Sequence, residues 1–480
     1  MSLKEIAFKG IKWTAISTIT GAVIQLLQLI ILTHYLSPTD FGLLALTWVV
    51  ISFSQMFIDF GVSNAIIYEQ NISRQQLDTL YWLNISSGFT VYLILFFSAP
   101  LISNFYEESR LTVIIRWLSL SFLIQPFEQQ FIILLKKALL FNQIAKREIF
   151  SKIVSLVIAV ILAVYGFGIF ALVYAQLFAI FISTILMIYI GLKFHRPSFY
   201  FKFSLIKHFF KFGLYQMGES FLNYFNSQFD TIIIGKILGV EAVGIYNIAK
   251  SLAMRPAQII NPIITQISFP LMSKLQNNLP QLKNIYLKTT HTLSTLNFPV
   301  YTFIAAFAEP IIKIFLGDKW QGAIPVLRIL AMYGMVRSTV NPVGVLMLSV
   351  GKPQLGFYWN LVLFFLIPAA IYTGTFYGLN GTAFTLLGLQ IILLIPAWNF
   401  LIKKCCHAGL SEYFREMLIP FILSLVQAIV YLIIILFITD INFQLIAGII
   451  ILGISIFWLN KTFNRDQYLL FRQFLYSGKC

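Results

Sequence analysis

The amino-acid sequence predicts an all-α integral membrane protein with about 14 transmembrane helices. Three observations support this fold class: the composition, the spacing of the apolar segments and the distribution of the basic residues. Hydrophobic residues occupy 59% of the 480 positions and charged residues only 11%, whereas a soluble domain carries about 25% charged residues. A chain with so few charges needs an apolar solvent for much of its surface, and a bilayer provides it.

Apolar windows recur along the whole chain, each near the length that a helix needs to cross a bilayer. A helix satisfies its own backbone hydrogen bonds, so repeated crossings by helices are compatible with lipid. The windows cover residues 11–33, 41–66, 80–104, 113–135, 150–168, 169–192, 209–235, 243–270, 289–316, 323–349, 355–378, 380–402, 418–438 and 441–460.

The formal net charge of the chain is +16, and the positions of the basic residues indicate the topology of these helices. In a soluble protein this charge would suggest nucleic-acid binding, but here basic residues concentrate in alternate connections. The intervening connections include THYLSPTDFG, YGFG, YGLNG and TDIN, which contain no Lys or Arg. Because cytoplasmic loops carry the excess of basic residues, both termini are expected in the cytoplasm. The first helix is expected to remain uncleaved.

The connections on the side without Lys or Arg are short, which argues against an enzyme. A membrane glycan polymerase or ligase would need a long outer loop for its acceptor and catalytic groups, and no GxSxG, HExxH or P-loop motif occurs. The cysteines Cys405, Cys406 and Cys480 are expected to be reduced thiols on the cytoplasmic side. The sequence therefore predicts neither a catalytic residue, nor a cofactor, nor a metal site.

The two halves of the chain resemble each other at an offset of about 202 residues. LSPTDFGL aligns with LGVEAVGI, which brings Gly42 opposite Gly244, and Asp59 aligns with Asn261. Such a repeat predicts two six-helix lobes around a central substrate path. The predicted parts are an N-terminal lobe at 1–192, an amphipathic linker on the inner leaflet at 193–208, a C-terminal lobe at 209–402, and two extra helices with a basic tail at 403–480.

A polar stripe lies within the seventh window. Glu219, Asn223, Asn226 and Asp230 recur at helical spacing and share one face. Polar residues inside a membrane usually face a bundle interior or a water-filled cavity, although a hydrogen-bonded seam between helices is the alternative. Asp59, near the inner end of the second window, could bind a proton or cation, or cap a helix break at Gly61.

Three cations lie inside predicted spans: Lys250 and Arg255 in the eighth window and Arg337 in the tenth. One interpretation is a cationic cavity for an anionic headgroup, since the arginine fork suits phosphate. The other is buried ion pairs with Asp230 and Glu219 on the preceding helix. The two are compatible if the acids hold the cations until substrate arrives.

Two segments carry a resemblance to a known family. Lys9–Ile67 resembles the first two helices of Wzx-type polysaccharide transporters, and Phe229–Leu275, with GKILGVEAVGIYNIAKSLAMRP, resembles their seventh and eighth helices. The resemblance is nearest to the colanic-acid-exporter-like branch. It implies the fold of the multidrug/oligosaccharidyl-lipid/polysaccharide exporter superfamily, with two lobes in a V around a central cavity. By position, it gives the cavity cations as Lys250, Arg255 and Arg337.

The resemblance also implies a function. The expected activity is flipping of undecaprenyl-diphosphate-linked oligosaccharide between leaflets of a bacterial cytoplasmic membrane, for O-antigen, capsule or exopolysaccharide synthesis. Membrane lipids, and the polymerase and chain-length regulator of the same pathway, are expected partners, and nucleic acid is not. The alternatives are a cation-coupled multidrug exporter of the same fold, a peptidoglycan-precursor flippase, and a membrane glycan polymerase or ligase.

Overall fold

A computed structural model describes residues 3–59, 66 and 72–463. Every regular element in these ranges is helical, which confirms the predicted all-α class. The chain divides into two compact units, unit 1 with residues 1–244 and unit 2 with residues 245–480. The helix predicted to open the C-terminal lobe at residue 209 therefore belongs with unit 1.

The helices of unit 1 follow the predicted windows, with a break in the fourth. They are α1 (Leu3–Tyr35), α2 (Pro38–Asp59), α3 (Arg74–Tyr106), α4 (Arg110–Ser119), α5 (Ser121–Ile124), α6 (Pro126–Lys137), α7 (Phe141–Val164), α8 (Phe170–Gly191) and α9 (Lys207–Ile237).

Close packing in unit 1 depends on small side chains. α1 packs along α7, which packs along α8. Leu32 of α1 and Leu36 directly after it lie in one buried cluster with Ala159 and Ala163 of α7 and with Ala171 of α8. Because alanine lets helix backbones approach closely, these helices gain van der Waals contact without a large apolar side chain at each position.

The α10 helix (Val240–Lys274) crosses the division between the units. The other helices of unit 2 are α11 (Leu279–Ala306), α12 (Ala308–Phe315), α13 (Ala323–Val340), α14 (Pro342–Ser349), α15 (Pro353–Thr375), α16 (Gly378–Ile392), α17 (Leu394–Ala397), α18 (Lys403–Cys406), α19 (Leu410–Phe437) and α20 (Ile441–Phe463). A π-helical turn, Trp398–Ile402, joins α17 to α18.

The two helices predicted as an extension of the repeat pack on the centre of unit 2. α19 runs along α11, and Tyr286 of α11 is buried with Cys405, Cys406 and Tyr413. Cys405 and Cys406 are free thiols, as predicted, and Cys480 lies outside the described residues. The extra helices thus complete the core of this unit.

Eight helical spans in the described residues are long and apolar enough to cross a membrane, and ten if two bent pairs each count as one span. α7, α9, α10 and α20 also fall on predicted windows, but their described residues do not meet that criterion. α7, for example, carries Arg147, Glu148 and Lys152 in its first half. A multi-pass membrane protein is confirmed, and the exact number of 14 spans stays a prediction.

Both the fourth and the tenth predicted windows contain a helix break before a proline, but the fourth is sharply bent there, whereas Ala323–Ser349 counts as one span. α4 and α5 are followed by α6 at a bend of 49°, with Pro126 as the first residue of α6. α13 ends and α14 begins at Asn341 and Pro342. Proline lacks the N–H that would continue the hydrogen-bond ladder, and it fits the first position of a new helix. Pro126 and Pro342 are 216 residues apart, whereas the repeat offset is about 202 residues, so the two breaks are not equivalent positions of the repeat.

The repeat-related glycines make reciprocal contacts within unit 1. A Cβ added to Gly42 would lie 1.9 Å from the carbonyl oxygen of Val240, and one added to Gly244 would lie 1.8 Å from that of Pro38. At the predicted offset, Pro38 corresponds to Val240 as Gly42 does to Gly244. Glycine is required at both places because the two helix starts approach each other too closely for any side chain.

Candidate functional site

The predicted polar stripe lies on α9 of unit 1. Asn223 is exposed, Asn226 is half-buried and Asp230 is buried. Asp230 Oδ1 accepts a hydrogen bond of 2.7 Å from the backbone N–H of Thr231. The stripe therefore grades from an exposed amide to a buried carboxylate along one helix.

An aromatic face of the same helix attaches α9 to α2. The ring of Phe53 on α2 contacts those of Phe221, Tyr224 and Phe225, and the Tyr224 hydroxyl donates to the carbonyl of Val49. The aromatic residues provide the packing, so the exposed Asn223 is not part of this contact.

Two predicted acids are only partly described. Asp59 is the last residue of α2 and Glu219 lies within α9, but both side chains fall outside the described residues. Their predicted roles in ion coupling, and the pairing of Glu219 and Asp230 with the cations of α10, stay predictions.

The α10 helix carries Lys250 and Arg255, both half-buried. It continues through Pro256 and Pro262, where proline removes two backbone donors from the helical ladder. Between these prolines, Asn261 accepts a 3.0 Å hydrogen bond from the side-chain amide of Asn297 on α11. Further along, the Thr289 hydroxyl lies 3.0 Å from that of Ser268. Polar contacts therefore hold the later part of α10 against α11 in unit 2.

Arg337 lies on α13 and is exposed. Its Nη1 donates a 3.1 Å hydrogen bond to the Tyr333 hydroxyl one turn earlier, and the guanidinium carbon lies 5.8 Å from the centre of that ring. These contacts hold the guanidinium against the Tyr333 side chain. The predicted role of Arg337 in binding an anionic headgroup stays a prediction.

Tyr301 of α11 places the two arginine-bearing helices beside one another. Its hydroxyl lies against the backbone of Ala257, two residues beyond Arg255, and interacts electrostatically with Arg337. Its ring lies against Gly334 of α13, where an added Cβ would be 2.6 Å away. Tyr301 therefore lies between α10 and α13, the helices of unit 2 that carry Arg255 and Arg337.

Arg328, near the start of α13, has a different environment. It lies 3.7 Å from Glu309 of α12, a carboxylate that also binds Lys313 at 2.8 Å. All three side chains are partly exposed. Arg328 therefore belongs to an ion-pair group on α12 and α13, away from the Tyr301 contact.

Sequence reasoning missed a buried charge network in unit 1. Arg147 of α7 donates to Glu128 of α6 at 2.8 Å, with side-chain exposures of 9% and 11%, and Ser183 of α8 donates to the same carboxylate at 2.9 Å. Glu148 accepts a 2.7 Å hydrogen bond from Ser17 of α1. The predicted windows 113–135 and 150–168 left Arg147 in the connection between them, but the structure shows that α7 already begins at Phe141. The sequence could have indicated this pair through Glu128, an acid close after Pro126, if the helix that contains Arg147 had been predicted to start earlier.

Comparison with known proteins agrees with this architecture. Residues 31–325 match the family described as polysaccharide biosynthesis protein. The chain is 32% identical to the lipopolysaccharide biosynthesis protein WzxC of Escherichia coli, over 90% of this chain and 88% of that one. It is 33% identical to the teichuronic acid biosynthesis protein TuaB of Bacillus subtilis, over 89% of each.

Solved structures show the same fold at low identity. The lipid II flippase MurJ superposes with a TM-score of 0.76 at 14% identity, covering 95% of this chain and 100% of that one. An inward-facing multidrug resistance MATE family transporter superposes with a TM-score of 0.62 at 15% identity, covering 80% and 94%. The predicted superfamily fold is confirmed, and the chain belongs to the polysaccharide biosynthesis protein family, as a Wzx-type polysaccharide transporter.

Proposed function

We propose that the protein moves undecaprenyl-diphosphate-linked oligosaccharide repeat units from the inner to the outer leaflet of a bacterial cytoplasmic membrane by alternating access. The relatives named for lipopolysaccharide and teichuronic acid biosynthesis support a polymer precursor as substrate. No covalent bond is made or broken in this proposal, so the protein is a transporter and not an enzyme.

The proposal rests on the position of Tyr301 between α10 and α13, the helices that carry Arg255 and Arg337. A diphosphate cannot enter hydrocarbon without losing its hydration, which costs many kcal/mol for an unpaired charge. Guanidinium groups replace that hydration with charge-assisted, bidentate hydrogen bonds. Lys250, five residues before Arg255 on α10, adds a point charge. Asp59, Glu219 and Asp230 are the proposed coupling or cavity-lining acids, with Asn223 and Asn226 between the last two on α9.

The polar sugars would cross in water within the predicted cavity, while the prenyl tail stays in the bilayer. We propose that α10 bends where Pro256 and Pro262 interrupt its hydrogen bonds, since prolines are the commonest cause of sharp helix kinks. Both termini would lie in the cytoplasm, and the polymerase and chain-length regulator of the pathway would take the exported unit.

Replacing Arg255 tests the proposal. In a strain lacking the chromosomal copy, Arg255→Ala is expected to abolish surface polymer while the protein inserts and accumulates normally. Labelled lipid-linked repeat units should build up in the inner leaflet. Normal export from this variant would overturn the headgroup role of Arg255.

Two controls separate charge from structure. Arg255→Lys keeps the positive charge but lacks the bidentate guanidinium, so it is expected to restore part of the export. Arg328→Ala removes the arginine that lies near Glu309 and should leave export unchanged. If the protein were instead a multidrug exporter, Arg255→Ala would lower drug resistance and would not cause lipid-linked repeat units to accumulate. A peptidoglycan-precursor flippase would be needed for growth itself.

A further inference from the structure

The linker between α8 and α9, residues 192–206, is irregular and is attached to the start of α3. We call this segment the strap. Residues 192–206 contain no α-helix and only a 3-10 turn, Phe203–Leu205. This linker was predicted to be amphipathic. The structure shows that its backbone is fixed to the neighbouring helix, so its side chains have defined directions.

A buried carboxylate forms the main attachment. Asp78 of α3 is 1% exposed, and it accepts hydrogen bonds from both the backbone N–H and the hydroxyl of Ser198. Nε2 of His195 lies 3.0 Å from the same carboxylate. Burial lowers the pKa of His195, and the positive charge of Arg74 adds to this effect, although Asp78 opposes it. The imidazole is therefore neutral at neutral pH.

Other residues of the first turns of α3 hold the linker backbone. The indole of Trp82 donates to the carbonyl of Ser198 at 2.8 Å, and the Thr79 hydroxyl accepts from the N–H of Lys202 at 3.3 Å. Gln76 reaches the carbonyl of Leu205 at 3.3 Å. With polar atoms fixed in this way, what the linker presents outward is set by its remaining side chains.

Those side chains are aromatic and basic. Phe199 is 95% exposed although it stacks on Trp82 with ring centres 5.0 Å apart. The outward aromatic residues are Phe194, Phe199, Phe201 and Phe203, and the outward basic residues are Lys193, Arg196 and Lys202. No acidic residue occurs between positions 193 and 206, and the carboxylate of Asp78 is covered.

We propose that this strap is a docking surface for the anionic phospholipids of the inner leaflet. Phenylalanine side chains insert at the boundary of headgroups and acyl chains, and basic residues attract the negative surface. The strap follows α8 directly, so it meets the membrane where that helix leaves it. A protein partner is disfavoured by the basic residues among the rings, because lipid satisfies both kinds of side chain at once.

This inference depends on the proposed cytoplasmic side of the linker, but not on the transported substrate. An environment-sensitive fluorophore on Ser204→Cys, with Cys480→Ser and the native Cys405 and Cys406 left buried, reports on the strap. Full-length protein is reconstituted in nanodiscs of phosphatidylcholine with or without phosphatidylglycerol. The same dye on Thr439→Cys, in the TDIN connection that has no Lys or Arg, is the matched control.

With phosphatidylglycerol, the Ser204→Cys dye is expected to be quenched by shallow doxyl-labelled lipid and shielded from iodide. Each basic residue near an anionic surface strengthens its attachment roughly fivefold. The triple change Lys193→Gln, Arg196→Gln and Lys202→Gln should therefore abolish the lipid dependence. Phe199→Ser with Phe201→Ser should remove the doxyl quenching, and the control dye should not respond.

Equal iodide access in both lipid compositions would overturn the proposal. So would shielding seen in native inverted vesicles but absent from the nanodiscs, since this would identify a protein partner instead. The measurement is expected to be unchanged by Arg255→Ala. A failure of the transport proposal therefore leaves the result on the strap intact, and the reverse also holds.

Discussion

Arg147 in unit 1 and Arg337 in unit 2 lie within helices of one membrane protein, yet their surroundings differ. Arg147 is buried and bound to a carboxylate that Ser183 also satisfies. Arg337 is exposed and rests on the hydroxyl and ring of Tyr333. The first arrangement uses the guanidinium to join α6 to α7, whereas the second holds an exposed guanidinium against the side chain one turn earlier.

The comparison shows that an arginine inside a membrane protein is not by itself a sign of a binding site. Charges within spans are costly and therefore usually have a purpose, but that purpose can be structural. What separates the two cases is the exposure of the guanidinium and the kind of group that orients it.

The largest expected effect is on stability in unit 1. Arg147→Ala leaves the Glu128 carboxylate buried without its cation, and removing one partner of a buried pair costs about 3 to 5 kcal/mol. Titration with sodium dodecyl sulfate in mixed micelles would measure this loss in the free energy of unfolding. The double replacement Arg147→Met with Glu128→Leu should recover much of it. A single variant as stable as the original protein would show that the pair is not structural.

A smaller loss is expected when only the neutral donor is removed. Ser183→Ala deletes one hydrogen bond to the Glu128 carboxylate, and a hydrogen bond to a charged group contributes about 1.5 to 3 kcal/mol. The same titration applies. Ser151→Ala is the matched control because its hydroxyl bonds backbone carbonyls of its own helix. If both serine variants lose equal stability, Ser183 has no special role.

The smallest effect on stability is expected at Arg337. Arg337→Ala removes an exposed side chain, so the free energy of unfolding should change by about 0.5 kcal/mol or less. Export of polymer should nevertheless fall sharply, because the proposed headgroup contact is lost. The informative measurement is the ratio of surface polymer to folded protein. A variant that unfolds like Arg147→Ala would remove the contrast between the two arginines.

The sequence alone predicted much of the fold because apolar windows and helix length are directly linked in a membrane. The windows missed the break before Pro126 and the true start of α7, since a helix can continue into charged sequence when its neighbours satisfy those charges. Arg147 was consequently placed in a loop. Burial and pairing are tertiary facts, and no single-residue pattern contains them.

For the candidate site, sequence spacing predicted roles for Arg255 and Arg337, which stay predictions, but it did not indicate Tyr301, which lies between α10 and α13. Tyr301 lies in an ordinary apolar window, and nothing in its local sequence indicates that α10 and α13 meet there. Helical periodicity assigns a residue to a face, whereas the neighbour of that face depends on how whole helices pack.

The reciprocal contact of Gly42 and Gly244 has a consequence for descent. If the two halves arose by duplication of one ancestral segment, each copy retains a glycine because the backbone of the other copy occupies the space. A substitution in either half is then opposed by the other, so the two positions cannot diverge independently. Elsewhere the sequences of the two halves have diverged until little similarity remains. Where the two helix starts approach each other, the backbone of each half requires the other half to keep its glycine.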